Sequence, residues 1–166
     1  ALPADAQRAV NYRCTVDGRL QAERLTKAAA DSAPSARALA AGSVVVVSGG
    51  AGGIGRLMAS FLTARGCRVA LLGRSDPAAV ASELKAAGLA DARLCRYLQA
   101  DVTQRGEVHQ ALDQVRRDWG PVQAVFHAAG GRADGMLLRK DSQTARTVLA
   151  AKVLGAIVLD EATRGD

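Results

Sequence analysis

Five of the seven residues from Gly49 to Gly55 are glycine. They lie in "VVVVSGGAGGIGRLMASFL", residues 44–62, between an apolar β-branched run and an amphipathic stretch. Glycine accepts positive φ and lets a backbone come close to a ligand. Amides at the start of a helix point at whatever sits there, and the helix dipole favours an anion. Gly50-x-Gly52-x-x-Gly55 has the spacing of a dinucleotide cradle, and Ser48-Gly49-x-x-x-Gly53-x-Gly55 fits a longer form. Ser48, Gly49, Gly50, Ala51, Gly52, Gly53, Ile54 and Gly55 are therefore expected to hold a pyrophosphate. The alternative is a plain tight turn, but glycines at this density carry a backbone entropy cost that such a turn does not require.

The end of the next strand selects the nucleotide. A carboxylate about 20 positions beyond the glycines would bind the ribose 2′-hydroxyl of NAD. Arg74 and Ser75 stand there instead, in "LLGRS". A guanidinium and a hydroxyl suit a 2′-phosphate, which points to NADPH. A solvated surface arginine is the alternative. Further on, Asp101 and Val102 end a third strand. Asp101 either accepts from an adenine amino group, with Val102 against the ring, or caps the following helix. In "HAAG", the small residues Ala128, Ala129 and Gly130 would let the backbone run beside the nicotinamide ribose. His127, within the same cofactor-side stretch, is by itself readable as a packed strand-end histidine rather than a catalytic one.

Positioning these groups takes a regular frame. "SVVVVS" is a strand buried on both faces. "GIGRLMASFLTARG" is a helix ending at Gly66, and "CRVALLGR" is a second strand. "DPAAVASELKAAG" is a helix with Asp76 as N-cap, Pro77 at its first position and Gly88 at its end. "ARLCRYLQAD" is a third strand, and "TQRGEVHQALDQVRRDWG" a helix capped by Thr103. "VQAVFHAAG" is a fourth strand, and "DSQTARTVLAAKVLGAIVLDEATRG" a fourth helix. The fold class is α/β: a partial Rossmann fold whose parallel sheet has order 3-2-1-4, with flanking helices. A hairpin around Asp17-Gly18 and a small, polar linker precede it. The expected domains are 1–42, hairpin and linker, and 43–166, cofactor-binding. Apolar residues surround the fourth helix on most sides, which calls for burial on most sides.

The bulk numbers exclude several classes. The 166 residues carry a net charge of +6, but the basic residues are scattered and only 3% of the chain is aromatic. That is poor equipment for nucleic acid, and the charge better serves anionic small ligands. The three cysteines, Cys14, Cys67 and Cys95, form no CxxC, so no metal site is expected and they read as small buried hydrophobes in a reducing cytoplasm. No apolar run reaches the about 18 residues of a membrane span. The start shows no signal peptide and no initiator Met, as expected for a piece of a longer protein.

Together, "VVVVSGGAGGIG", "VALLGRS", "LQADVTQRGEV", "PVQAVFHAAG", "DGMLLRK" and "VLAAKVLGA" resemble the short-chain dehydrogenase/reductases. The resemblance is closer to the ketoreductase domains of modular polyketide synthases, and "NYRCTVDGRLQAERL" looks like their link between structural and catalytic subdomains. It implies NADPH-dependent reduction of a β-ketoacyl chain held by phosphopantetheine on an acyl carrier protein, beside neighbouring synthase domains. In that family a tyrosine donates a proton to the ketone oxygen, a serine hydrogen-bonds that oxygen, and a lysine lowers the tyrosine's pKa. The matching lysine is Lys152, one of four in the chain and the one in the most apolar sequence surroundings, which reads as a buried lysine with a functional role; the alternative is that it snorkels to the helix surface. The family's serine and tyrosine come after this helix, and neither Tyr12 nor Tyr97 matches their motif. The chain is thus expected to be the first part of such a domain and to be inactive alone. Where D-alcohol-forming members carry Leu-Asp-Asp, this chain has Arg132-Ala133-Asp134, so only Asp134 matches. Two rival readings are an inactive ketoreductase-like scaffold in a megasynthase and a stand-alone short-chain dehydrogenase.

Overall fold

Four valines and a serine, Val44–Ser48, form a strand in which every residue is buried. Such a run has two faces to cover, and the chain supplies a helical layer for each. The computed structural model describes residues 12–22, 39–130 and 141–166. The chain divides into two units, Ala1–Arg37 and Ala38–Asp166. In the first, strands β1 (Tyr12–Cys14) and β2 (Leu20–Ala22) pair antiparallel. Thr15–Arg19 connects them, with Gly18 at φ 79° and the Thr15 amide donating to the Arg19 carbonyl at 2.9 Å. Asp17-Gly18 does turn the chain, within a loop longer than the two-residue hairpin turn. Cys14 is exposed, against the expectation of burial.

The second unit runs β3 (Val44–Ser48), α1 (Gly53–Thr63), β4 (Arg68–Gly73), α2 (Pro77–Ala86), β5 (Cys95–Gln99), α3 (Arg105–Trp119), β6 (Ala124–His127), α4 (Ser142–Leu149), a π-helical turn (Ala150–Leu154) and α5 (Gly155–Thr163). All three strand pairings are parallel, in the order β5-β4-β3-β6. Numbered from β3, this is the expected 3-2-1-4. Alternate residues divide the core. Val44, Val46, Ala70 and Leu72 pack with Val108, Leu112, Val115, Val158 and Leu159 of α3 and α5. Val45, Val47, Val69 and Leu71 pack with Ala59, Leu62, Val80 and Leu84 of α1 and α2. Cys67 and Cys95 lie in the second cluster, and burial pushes the Cys95 thiol up to about 12, which leaves it unreactive near neutral pH.

Helix boundaries obey local chemistry. Asp76 accepts from the Ala78 amide at 2.7 Å, with Pro77 at the first helical position. Thr103 does not cap α3. The N-cap is Gln104, without a side-chain bond, while the Thr103 amide and hydroxyl both donate to Asp101 Oδ1 at 2.9 and 2.8 Å. These bonds hold Thr103 in the turn after β5, one residue short of the N-cap position. The third strand is shorter than its apolar run, because Ala92 to Leu94 form a turn before it. The single fourth helix expected from periodicity is interrupted by the π-helical turn, where the Gly155 amide reaches back to the Ala150 carbonyl. Val158 and Leu159 are buried, while Leu149, Val153, Leu154 and Ile157 stay exposed. Among the described residues, no helix is long and apolar enough to cross a membrane and no group of His, Cys, Asp or Glu could hold a metal.

Candidate functional site

At the carboxyl ends of these strands the chain makes four sharp departures from regular structure, and they converge. The first is the turn from β3 into α1. Gly49 has φ 69°, and a Cβ there would lie 2.7 Å from the Ala128 carbonyl oxygen. Gly50 and Gly55 are close-packed: a Cβ on Gly50 would lie 2.5 Å from Leu71 Cβ, and one on Gly55 2.4 Å from the Gly49 carbonyl oxygen. Gly53 is different, since a Cβ there would meet nothing within 4 Å. The fold itself explains three glycines, and Gly53 leaves open space at the helix start. Gly52 caps α1 without a side-chain bond, and the first turn holds no acidic residue. Among the described residues, the amides of Ala51, Gly53, Ile54 and Gly55 have no protein acceptor. That cluster of free donors on the positive end of a helix matches a pyrophosphate.

The second departure comes after β4. Its backbone is held by the neighbouring strand: Gln99 Nε2 donates to the Arg74 carbonyl at 3.1 Å, and the Tyr97 hydroxyl to the Ser75 carbonyl at 3.1 Å. The Tyr97 ring fits beneath Gly73, where a Cβ would stand 2.5 Å from its oxygen. Burial pushes the Tyr97 phenol up, so it stays protonated and keeps donating. Arg74 and Ser75 are exposed, and Arg74 makes no salt bridge among the described residues.

The third lies after β5. Asp101 Oδ1 holds Thr103, and the Asp101 amide donates to Glu107 Oε2 at 2.7 Å. Asp101 therefore caps the turn before α3, while its Oδ2 has no donor among the described residues. Val102 is buried against the position of Gly155, whose missing Cβ would lie 2.8 Å from Val102 Cγ2.

The fourth is the end of β6. Ser48 is fully buried and its Oγ lies 2.5 Å from His127 Nδ1. His127 Nε2 lies 2.9 Å from the Ala151 carbonyl oxygen, and the Ala129 amide donates to Ser48 Oγ at 3.3 Å. His127 is a bonded strand-end side chain that joins β3, β6 and the π-helical turn. Lys152 is exposed, which corrects the burial read from its apolar neighbours. Its apolar neighbours Val153 and Leu154 are exposed as well, so they do not enclose it. Its ammonium nevertheless sits beside Gly130, with Nζ 3.2 Å from where a Cβ would be. Asp134 falls in 131–140, outside the described residues.

These ends surround one cleft of about 480 Å³. Of the residues singled out from sequence, Gly49, Ala51, Gly52, Arg74, Ser75, Asp101, Val102, Ala128, Ala129 and Gly130 line it. Gly50, Gly55, Ser48 and His127 stand behind that lining as its supports, and Gly53, Ile54 and Lys152 lie outside it. Sequence reasoning missed Gln143, Arg146 and Thr147, which line the cleft from one face of α4, and Ala150 at the start of the π-helical turn. Their spacing of three and four residues was readable, but nothing before the fold showed that this face turns toward the strand ends. With Arg74 and Arg146 against Asp101, the charged lining is net positive.

Known proteins agree with this geometry. A family model, the KR domain, matches residues 43–166. The polyketide synthase ThaG of Burkholderia thailandensis is 44% identical over 123 residues, which are 73% of this chain and 2% of that protein. The chain therefore spans a small fraction of such curated relatives. Among solved structures, an N-terminal ketoreductase from the macrolactin assembly line superposes with TM-score 0.68 at 26% identity, covering 89% of this chain and 29% of that one. A ketoreductase domain from the bacillaene assembly line gives 0.66 at 28% identity, covering 74% and 30%. With nearly the whole of the second unit matched, the chain belongs to the KR family, the ketoreductase domains of polyketide synthases, within the short-chain dehydrogenase/reductase fold.

Proposed function

We propose that this chain forms the NADPH-binding part of a ketoreductase that reduces the β-keto group of an acyl chain carried by an acyl carrier protein. The observation that carries the cofactor choice is Arg74: an exposed guanidinium without a carboxylate partner among the described residues, on the rim of the amide-lined cleft. The amides at the start of α1 would hold the pyrophosphate, and Arg74 with Ser75 the 2′-phosphate. Asp101 and Val102 would bound the adenine, and Ala128 to Gly130 the nicotinamide ribose. When bound, NADPH supplies a hydride to the ketone carbon. Lys152, whose ammonium sits beside Gly130 of the cleft lining, would supply a positive charge beside the reacting group. Tyr97 is committed to the Ser75 carbonyl, so the proton donor that the family requires is proposed to come from elsewhere in the protein.

Arg74→Ala tests the cofactor assignment. Charge-assisted hydrogen bonds contribute about 1.5–3 kcal/mol each, so losing one lowers NADPH affinity on the order of 10- to 100-fold. NADH affinity, measured by the same fluorescence titration, should change less than about twofold. Equal weakening for both nucleotides would contradict the assignment.

A further inference from the structure

We propose that His127 is a positioning residue for Lys152, acting through the backbone of the π-helical turn. The proposal rests on the reading of Lys152 as a residue of the reaction site. A carbonyl only accepts, so the 2.9 Å contact with Ala151 puts a proton on His127 Nε2. In the neutral ring, Nδ1 is then an acceptor, and the Ser48 hydroxyl donates to it across 2.5 Å. The Ala129 amide donates in turn to Ser48 Oγ. Every polar atom in this series has a partner, which gives the ring one orientation and one tautomer.

The series ends one residue before Lys152. In an α-helix the Gly155 amide would bond the Ala151 carbonyl. Here it bonds the Ala150 carbonyl, and the Ala151 carbonyl takes the imidazole N–H. His127 thus satisfies an acceptor that the π-helical turn releases, which favours that turn over a regular helix. An extra residue in the turn rotates the helix on one side of it by about 100° relative to the helix on the other. Lys152 lies inside it, so the turn sets the direction in which the lysine leaves the helix. Gly155 supports the arrangement: a Cβ there would stand 2.8 Å from Val102 Cγ2 and 3.3 Å from His127 Cε1, pushing the helix off the strand ends.

Two near-isosteric substitutions separate the bonds. Asparagine mimics the Nδ1 side of the ring and keeps a partner for Ser48, but does not reach Ala151. Glutamine mimics the Nε2 side and keeps the donor to Ala151. In the full-length protein carrying this chain, His127→Asn should lower kcat on the order of 10- to 100-fold, as expected for a displaced reaction-site group. Its Kd for NADPH, read by fluorescence titration, and its Tm should stay close to the parent values. His127→Gln should restore most of kcat. Equal loss in the two variants, or an NADPH Kd that rises in step with the fall in kcat, would overturn the positioning role. A Lys152→Ala protein with unchanged kcat would instead remove the reading on which it rests.

Discussion

Gly55→Ala is expected to lower NADPH affinity by more than about 100-fold. Its Cβ would lie 2.4 Å from the Gly49 carbonyl oxygen and 2.8 Å from Gly50 Cα. Both are backbone atoms of the same turn, so no flexible side chain can move aside. Either α1 slides away from the turn or the turn opens. Each response separates the Ala51 amide from those of Gly53 to Gly55, which must converge on one phosphate group. Forfeiting two charge-assisted bonds at about 1.5–3 kcal/mol each accounts for the loss. Gly53→Ala is the contrasting case. Its Cβ meets no protein atom within 4 Å and alanine suits a helix, so Tm should be maintained. Thermal melts and fluorescence titration of both variants check this. Full NADPH affinity in Gly55→Ala would mean that the amides do not hold the phosphates.

Leu71→Ala should destabilise the fold by about 2–5 kcal/mol, the range for a buried leucine truncated to alanine. Leu71 is fully buried in the centre of β4 and belongs to the cluster under α1 and α2. Strand β4 is paired on both sides, to β3 and β5, so it cannot collapse into the space left. Alanine retains the Cβ, which is the atom nearest the Gly50 position. The turn keeps its seat, and the folded protein should bind NADPH with little change in affinity. Urea unfolding gives the first quantity and titration below the transition the second. A stability loss under about 1 kcal/mol would show that this face is not sealed as described.

Strong local patterns carried most of the architecture. The β-branched run of β3, the Asp76-Pro77 start of α2 and the glycine turn each combine a propensity with a hydrogen-bonding requirement, and each forms where its residues stand. The illegible features depended on competition or on distance. Thr103 has the right side chain for a cap, but its bonds to Asp101 two residues earlier hold it in the preceding turn and the helix starts one residue further on. Periodicity through residues 142–165 reads as one helix, because a π-helical turn shifts the phase without changing the composition. The cause of that turn includes His127, which is distant in sequence. Lys152 reads as enclosed for the same reason: hydropathy counts chain neighbours and cannot register which way the turn points them. The α4 lining of the cleft, Arg146 included, needed the sheet order before its direction had meaning.

The most direct measurement tracks NADPH by its absorbance while the full-length protein carrying this chain meets a β-ketoacyl thioester, beside its Arg74→Ala and Lys152→Ala variants. Thioester-dependent loss of NADPH absorbance is expected in the parent protein, with a raised NADPH KM in Arg74→Ala and a collapsed kcat in Lys152→Ala. An intact protein that binds NADPH tightly yet consumes none with the thioester would contradict the reductase reading and leave a cofactor-binding scaffold in its place.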